Sequence, residues 1–363
     1  MSTALSPIPV RSVDGFRLGH YTDVEAATGC TAIVAPAGAT GGVDVRGGAP
    51  ASRETDLLRP ENTVDVVHAV LLSGGSAFGL ETASGAAREL EARGVGLPTG
   101  PVKVPSVCSS CIFDLGFGRP DVRPGVAEGR SAVAAALDGD PAEPLPQGTV
   151  GAGTGATVGK LLGPEHAMMG GLGAAAFSLG PVQVGAIAAV NACGNVVDPA
   201  TLAPVAGVRA TSDGLQIIDM EETLLAMAAQ MGAGAAPAGA PAEAVPADAP
   251  QQPGPRANTT ISCVITNARL TKAQATKLAQ MAADAYAHTI RPTHTTNDGD
   301  TVYVLASGTL AAAAEAAGAP TPEIPLDLLG LMATRALETA IVEGCKQATS
   351  LFGTPAARDV IDA

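Results

Sequence analysis

The dipeptide Asn258-Thr259 has the residue types and the position that self-cleavage requires. It lies where a tract made mostly of Ala, Pro, Gly and Gln, residues 232–257, meets the apolar segment 259–266. The Thr259 hydroxyl can attack the preceding carbonyl, and water can open the resulting ester. The freed residue then carries a hydroxyl nucleophile and an α-amine base, whose ordinary pKa is about 7.7–8. A β-branched residue that merely begins a strand is the alternative interpretation.

The elements that must position this dipeptide are strands and helices mixed along the whole chain. Strands are predicted at 16–20, 32–35, 43–45, 67–72, 102–107, 182–190, 259–266 and 301–306. Helices are predicted at 76–93 with Ser76 as N-cap, at 125–137, 215–231 and 326–347, and from the capping box Thr271-Lys-Ala-Gln274. This mixture predicts an α/β layered fold, an αββα sandwich. The Ala/Pro-rich tract predicts a disordered linker.

The net charge of −14 over 363 residues and the absence of a Lys/Arg-rich run argue against nucleic acid or an anionic membrane as partner. No apolar run reaches the roughly 18 residues that span a bilayer. The amino terminus has no basic-then-apolar signal pattern, so we expect a cytoplasmic protein.

Neither a metal nor an organic cofactor is expected. Of the six cysteines, Cys108 and Cys111 have metal or redox spacing, but no second pair completes a zinc site. Two small buried residues of a strand are the more favoured interpretation. The glycine-rich segments 74–76 and 151–155 lack the Walker lysine and the Rossmann acidic residue, respectively.

Six segments together resemble one family. They are Asn-Thr-Thr-Ile-Ser (258–262), Thr-Asn-Ala-Arg-Leu-Thr-Lys-Ala-Gln (266–274), His-Thr-Thr-Asn-Asp-Gly-Asp-Thr (294–301), Val-Asp-Val-Arg-Gly-Gly-Ala-Pro (43–50), Arg-Glu-Thr-Asp (53–56) and Leu-Ser-Gly-Gly-Ser-Ala-Phe-Gly-Leu (72–80). The chain thereby resembles the DmpA-type self-processing hydrolases, which include L-aminopeptidase/D-esterases, β-peptidyl aminopeptidases and NylC-type 6-aminohexanoate oligomer hydrolases. The resemblance spans nearly everything except the Ala/Pro-rich tract.

This resemblance implies an architecture shared with ornithine acetyltransferases and similar to that of N-terminal-nucleophile hydrolases. Cleavage between Asn258 and Thr259 would give an α chain (1–258) and a β chain (259–363) that remain intertwined in one structural domain. The expected partners are a small amide or peptide substrate and the two chains of the protein's own precursor. A homo-oligomer, plausibly a tetramer of αβ units, is also expected.

The resemblance also assigns roles to individual residues. Thr259 is the nucleophile, and Asn191 offers an amide donor to the oxyanion. Lys160 supplies a cation near the nucleophile, while Asp298 and Asp300 hold the terminal ammonium or a proton-transfer network. Taken alone, Asp298-Gly-Asp300 would be a turn, Asn191 the end of a strand and Lys160 a surface lysine.

Two substrate-binding positions depart from the aminopeptidase pattern. Cys111 and Phe113 stand where the aminopeptidases are expected to have a Glu and a Tyr, so neither a carboxylate for the substrate amine nor a phenol is present. Nylon (6-aminohexanoate) oligomers and small aminoacyl amides are therefore both expected substrates. L-aminopeptidase/D-esterase or β-aminopeptidase activity, acyl transfer resembling that of ornithine acetyltransferases, and a processed but inactive protein stay open.

Overall fold

The computed structural model describes residues 5–233 and 258–361, so the predicted linker lies outside the described residues except at its first two positions. The strands are β1 (Ser6–Ile8), β2 (Arg17–Asp23), β3 (Thr28–Val45), β4 (Ser52–Arg53), β5 (Val67–Ser73), β6 (Leu97–Pro98), β7 (Lys103–Val104), β8 (Val107–Cys111), β9 (Thr157–Val158), β10 (Met168–Met169), β11 (Gly171–Leu179), β12 (Val182–Asn191), β13 (Asn195–Val197), β14 (Pro204–Ala206), β15 (Thr259–Thr266), β16 (Ile290–Arg291) and β17 (Thr301–Ala306). The helices are α1 (Thr82–Ala92), α2 (Val126–Asp138), α3 (Met220–Ala233), α4 (Lys272–Ala282), α5 (Asp284–Thr289), α6 (Thr309–Ala316), α7 (Leu326–Gln347) and α8 (Ala357–Ile361).

Two sheets are joined through the 18-residue strand β3. Its second half pairs with β17 and continues the strand order β1-β11-β12-β15-β17-β3. Its first half pairs with β2 and β5, and β8 and β4 extend that second sheet. A register shift between Val34 and Ala39 marks the point where β3 passes from one sheet to the other. Such bulges bend a strand locally.

The sheets face each other across an aliphatic core that contains Ile33, Leu72, Ile187 and Ile261. Helices α4, α5 and α7 cover the outer face of the first sheet, and α1 and α2 cover the outer face of the second. The predicted αββα sandwich is confirmed. Burial of these apolar faces from water is the main force that holds the four layers together.

Glycine allows helices and strands to approach closely in this aromatic-poor protein. A Cβ at Gly42 of β3 would lie 2.3 Å from the Ala275 carbonyl carbon of α4. A Cβ at Gly173 of β11 would lie 1.9 Å from the Ala340 carbonyl oxygen of α7. Larger residues at these positions would separate helix from sheet.

Most predicted elements are present, with several differences at their boundaries. The strands predicted at 32–35 and 43–45 are one continuous strand, and 102–107 is divided between β7 and β8. The helix predicted at 76–93 begins with a 3₁₀ turn, Ser76–Glu81, whose N-cap is Gly75 in the left-handed region, so Ser76 is not the cap. Helix α3 begins at Met220 instead of 215, and α5, α6 and α8 were not predicted. The Thr271–Gln274 capping box is confirmed.

Strand β15 occupies the centre of the first sheet. It pairs antiparallel with β12 and parallel with β17, and all of its residues are buried. Its first residue, Thr259, therefore lies at one edge of a rigid core. Within the described residues, no helix is both long and apolar enough to cross a bilayer.

Candidate active site

The Thr259 side chain lies against the bond that precedes it. Its Oγ1 is in hydrogen-bond contact with the Asn258 carbonyl oxygen, and Thr259 is 5% exposed. The same carbonyl oxygen accepts a hydrogen bond from the Gly299 N–H at 3.3 Å. The hydroxyl and an N–H donor thus meet at one carbonyl oxygen, and such a donor can stabilise the charge that develops there when the carbonyl carbon is attacked.

Glycine at position 299 is required by the approach of the backbone to the nucleophile. A Cβ there would lie 2.8 Å from Thr259 Oγ1 and 3.0 Å from the Ala49 carbonyl oxygen. The Ala49 N–H in turn donates to the Asp298 carbonyl at 2.8 Å, which holds the 298–300 loop against the end of β3. Sequence reasoning treated Gly299 only as part of a turn.

Asn191 ends β12 directly opposite Thr259 in the antiparallel register. Its Oδ1 accepts from the Thr157 N–H at 3.0 Å and from Lys160 Nζ at 2.8 Å, and its Nδ2 donates to the Phe113 carbonyl at 3.0 Å. These contacts fix the plane of a fully buried amide. The strand register explains why the end of β12 reaches the nucleophile.

Lys160 is half-buried as a residue, but its amino group lies inside the protein. Nζ also donates to the Asn191 carbonyl oxygen at 3.1 Å. Burial lowers the pKa of Lys160 to about 7, against the opposing effect of the negative charges that Cys193, Asp298 and Asp114 can carry. A lysine with this pKa changes its charge near neutral pH.

Asp300 is held by a network of donors. Its Oδ1 accepts from the Thr260 N–H at 2.8 Å, which connects the loop to the second residue of β15. Its Oδ2 accepts from the Thr293 hydroxyl at 3.1 Å, and the backbone and Nδ1 of His294 lie 3.0 and 2.9 Å from this oxygen. This carboxylate therefore fixes the position of β15 relative to the loop.

Asp298 has a different environment. It forms an isolated parallel bridge with Asn258, and its Oδ2 accepts from the Thr295 N–H at 2.8 Å. Burial, and then the negative charge of Asp300, raise the pKa of Asp298, whereas Thr295 and Lys160 act in the opposite direction. A carboxyl group of this kind is more easily protonated than an exposed aspartate is.

Two aromatic neighbours were not predicted as site residues. The His294 ring stacks on Tyr286 with ring centroids 5.3 Å apart. The buried Tyr286 hydroxyl donates to the Thr260 carbonyl at 3.1 Å and lies 3.0 Å from the Ser262 hydroxyl. The sequence pattern assigned His294 no role, and only the fold shows that it contacts Asp300.

Cys111 and Phe113 are close in sequence but have different environments. Cys111 is buried, and its Sγ would lie 3.1 Å from a Cβ at Gly79. Burial raises the pKa of the Cys111 thiol well above its ordinary value, so the thiol stays neutral. Phe113 is half-buried, and its carbonyl binds Asn191.

Asp114 is a buried carboxylate that sequence reasoning missed. It accepts from the Thr28 hydroxyl at 2.6 Å and from the Gly75 N–H at 2.7 Å. Burial raises its pKa, while the positive charge of Lys160 opposes that shift. The signal in the sequence is one charge within the apolar run Cys111–Leu115. Cys108 and Cys111 are both free and buried, as the more favoured interpretation predicted.

Comparison with known proteins identifies the family. The sequence profile of peptidase family S58 matches residues 10–358. An uncharacterized aminopeptidase of Mycobacterium tuberculosis is 40% identical over 97% of each chain. A 6-aminohexanoate-oligomer endohydrolase of Paenarthrobacter ureafaciens is 33% identical over 79% of this chain and 70% of its own.

Solved structures agree in fold. The L-aminopeptidase D-Ala-esterase/amidase of Ochrobactrum anthropi, described as a variant of the Ntn hydrolase fold, superposes with a TM-score of 0.64 at 16% identity over 96% of this chain and 88% of its own. A Burkholderia β-aminopeptidase gives a TM-score of 0.61 at 21% identity over 98% and 92%. The chain belongs to peptidase family S58, which confirms the resemblance found in its sequence. It is an amide-bond hydrolase.

Proposed function

We propose that this protein cleaves itself between Asn258 and Thr259 and then hydrolyses amides with Thr259 as an N-terminal nucleophile. The contact of Thr259 Oγ1 with the carbonyl oxygen of Asn258, which Gly299 also binds, carries the proposal. In self-cleavage, Oγ1 bonds to the Asn258 carbonyl carbon, the C–N bond breaks, and the hydroxyl proton ends on the released nitrogen. Water then hydrolyses the ester.

In turnover, the Thr259 α-amine accepts the hydroxyl proton as Oγ1 attacks the substrate carbonyl carbon. Asn191 and Lys160 stabilise the negative charge that develops on the carbonyl oxygen. Asp298 and Asp300 hold the α-amine and the loop that contacts it. The leaving amine takes the proton, and water hydrolyses the acyl-enzyme.

For the substrate, we propose 6-aminohexanoate oligomers or small aminoacyl amides. Relatives that are about a third identical are named 6-aminohexanoate-oligomer endohydrolases. The neutral thiol of Cys111 supplies no carboxylate for a substrate amine, which supports tolerance of chains whose amine is far away or blocked. Aminopeptidase activity is the second candidate, because 40% identical relatives are named aminopeptidases.

We also propose that αβ units assemble into a homo-oligomer, plausibly a tetramer, in the cytoplasm. Helix α3 exposes 65% of Leu225, 37% of Leu224 and 43% of Met227, and apolar side chains of this kind are suited to a subunit contact. The described cysteines are free, which agrees with a reducing compartment. Light scattering of the wild type and of Leu225→Glu tests the assembly.

Intact-mass measurement tests self-cleavage. The wild type should give two fragments whose junction is Asn258/Thr259, whereas Thr259→Ala should remain one chain without activity. Thr259→Ser should still cleave because it keeps the hydroxyl. A cleaved Thr259→Ala protein would refute the mechanism. A panel of 6-aminohexanoate oligomers, aminoacyl amides and N-blocked amides then separates the candidate substrates, and added hydroxylamine or ornithine detects acyl transfer.

A further inference from the structure

A surface groove of about 570 Å³ lies beside the segments that build the nucleophile site. Strand β4 contributes Arg53, the 3₁₀ turn contributes Phe78 and Glu81, and the loop before α2 contributes Asp121 and Arg123. Phe78 is 57% exposed. The groove thus combines charged groups with an accessible aromatic ring.

The two guanidinium groups of this groove are held in place by contacts other than ion pairs. Arg53 donates to the Ser84 hydroxyl at 2.7 Å, and the Arg123 guanidinium lies 4.1 Å from the centre of the Phe78 ring. Within residues 5–233 and 258–361, neither arginine forms an ion pair. Asp121 is already paired with Arg119 at 2.8 Å. Glu81 is the other carboxylate of the lining, so the two arginines outnumber the one acidic group that is not paired, and this balance favours an anionic ligand.

Two segments connect this groove to the nucleophile. Ala49 binds the Asp298 carbonyl through its N–H at 2.8 Å, and the chain reaches Arg53 four residues later. On the other side, the Gly75 N–H binds Asp114, and a Cβ at Gly75 would lie 3.3 Å from Arg123 Cβ. Asp114 in turn interacts electrostatically with Lys160. Two chain segments therefore link residues that line the groove to residues that contact the nucleophile site.

We propose that the groove binds the free carboxylate of an amino-acid-derived amide substrate. Arg53 and Arg123 hold the carboxylate, and the exposed ring of Phe78 packs against the aliphatic chain. The part of the substrate on the amino side of the scissile bond is transferred to Thr259 as the acyl group. The free carboxylate therefore belongs to the other part, which leaves as an amine. The inference rests on the proposed function and adds to it a preference for substrates that end in a free carboxylate.

Kinetics with a matched substrate pair test the groove. The linear 6-aminohexanoate trimer is compared with its C-terminal primary amide, which differs in that one charge. Arg53→Gln and Arg123→Gln should each lower kcat/KM for the acid about tenfold through KM, and leave the amide within about twofold. Arg335→Gln, an arginine that lines a different groove, is the control and should change neither substrate. Equal losses for acid and amide would overturn the proposal while the hydrolase function stands.

Binding provides a measurement that does not depend on turnover. Hexanoate and hexanamide are titrated calorimetrically into the processed wild type and into Arg53→Gln. Hexanoate should bind the wild type at least tenfold more tightly than hexanamide, and Arg53→Gln should abolish that preference. A processed wild type that hydrolyses neither trimer refutes 6-aminohexanoate oligomers as the substrates, and the titration still decides the groove. Equal binding of the two probes refutes the carboxylate site.

Discussion

Asn191 and Thr259 form a directly opposed antiparallel pair, one ending β12 and the other beginning β15. This register places a fully buried amide beside the candidate nucleophile without any loop between them. Phe113 and Lys160 hold the two ends of that amide at 3.0 and 2.8 Å. Preorganised donors of this kind lower a barrier because they need not reorient as charge develops.

Replacement of Asn191 by Asp tests this relationship. Aspartate keeps the size of the side chain but removes its N–H donors, so kcat should fall by about 10²–10³. Steady-state kinetics on the processed protein give the result. The exposed Asn62→Asp serves as control and should retain wild-type rates. A near-normal kcat for Asn191→Asp would remove this residue from the mechanism.

Gly299→Ala should block self-cleavage while leaving the fold intact. The added methyl group would lie 2.8 Å from Thr259 Oγ1 and would displace the hydroxyl from the Asn258 carbonyl. Intact mass over time should show one chain, and circular dichroism should show native secondary structure. Gly116→Ala, whose added Cβ would meet only Phe113 at 4.0 Å, should cleave normally. Rapid cleavage of Gly299→Ala would contradict the proposed geometry.

The buried amine of Lys160 should make stability depend on pH. Its pKa is about 7 in the folded protein against an ordinary value of 10.5, so the unfolded state binds more protons between pH 7 and 10. The free energy of unfolding from this group therefore rises with pH in that window, by about 2–3 kcal/mol from pH 7.5 to 9.5.

Urea unfolding of the uncleaved Thr259→Ala chain measures this effect. The same chain that also carries Lys160→Met should lack the rise from this group. The unfolding free energy of the Lys160 protein minus that of the Lys160→Met variant should therefore decrease as pH falls towards 7. A constant difference across the window would show that Lys160 keeps an ordinary pKa.

Tyr286→Phe should destabilise the protein by about 1–3 kcal/mol without preventing self-cleavage. The change removes the donor to the Thr260 carbonyl and the neighbour of the Ser262 hydroxyl, both of which are buried. Chemical unfolding and intact mass measure the two effects separately. The half-buried Tyr21, in its Tyr21→Phe variant, is the control and should change stability by less than about 0.5 kcal/mol. Loss of cleavage in a folded Tyr286→Phe protein would give this hydroxyl a chemical role.

The ends of strands could be predicted from the sequence, but their pairing could not. The patterns marked Asn191 and Thr259 as a strand end and a strand start, and their side chains suggested chemistry. Only tertiary structure shows that these two ends are opposed. Asp114 illustrates the same limit, because it is bound to Thr28, 86 residues away. Contacts between residues so far apart in sequence are not encoded in any local pattern.

The 18-residue strand β3 was predicted as two short strands for a local reason. Pro36 and Gly38 lie inside it, and such residues usually interrupt a strand. Here Gly38 adopts a φ of +83° at the register shift, so the strand bends and continues in the other sheet.

The position of β15 and β17 has a mechanical consequence. These strands lie side by side, with β12 on one flank and β3 on the other, and both flanking strands precede residue 258. Cleavage of the Asn258–Thr259 bond removes no hydrogen bond to β12 or β3, so the carboxy-terminal piece stays paired within the sheet. Release of this piece would require the hydrogen bonds between β12 and β15 and those between β3 and β17 to break together. The two pieces should therefore separate only when the whole protein unfolds.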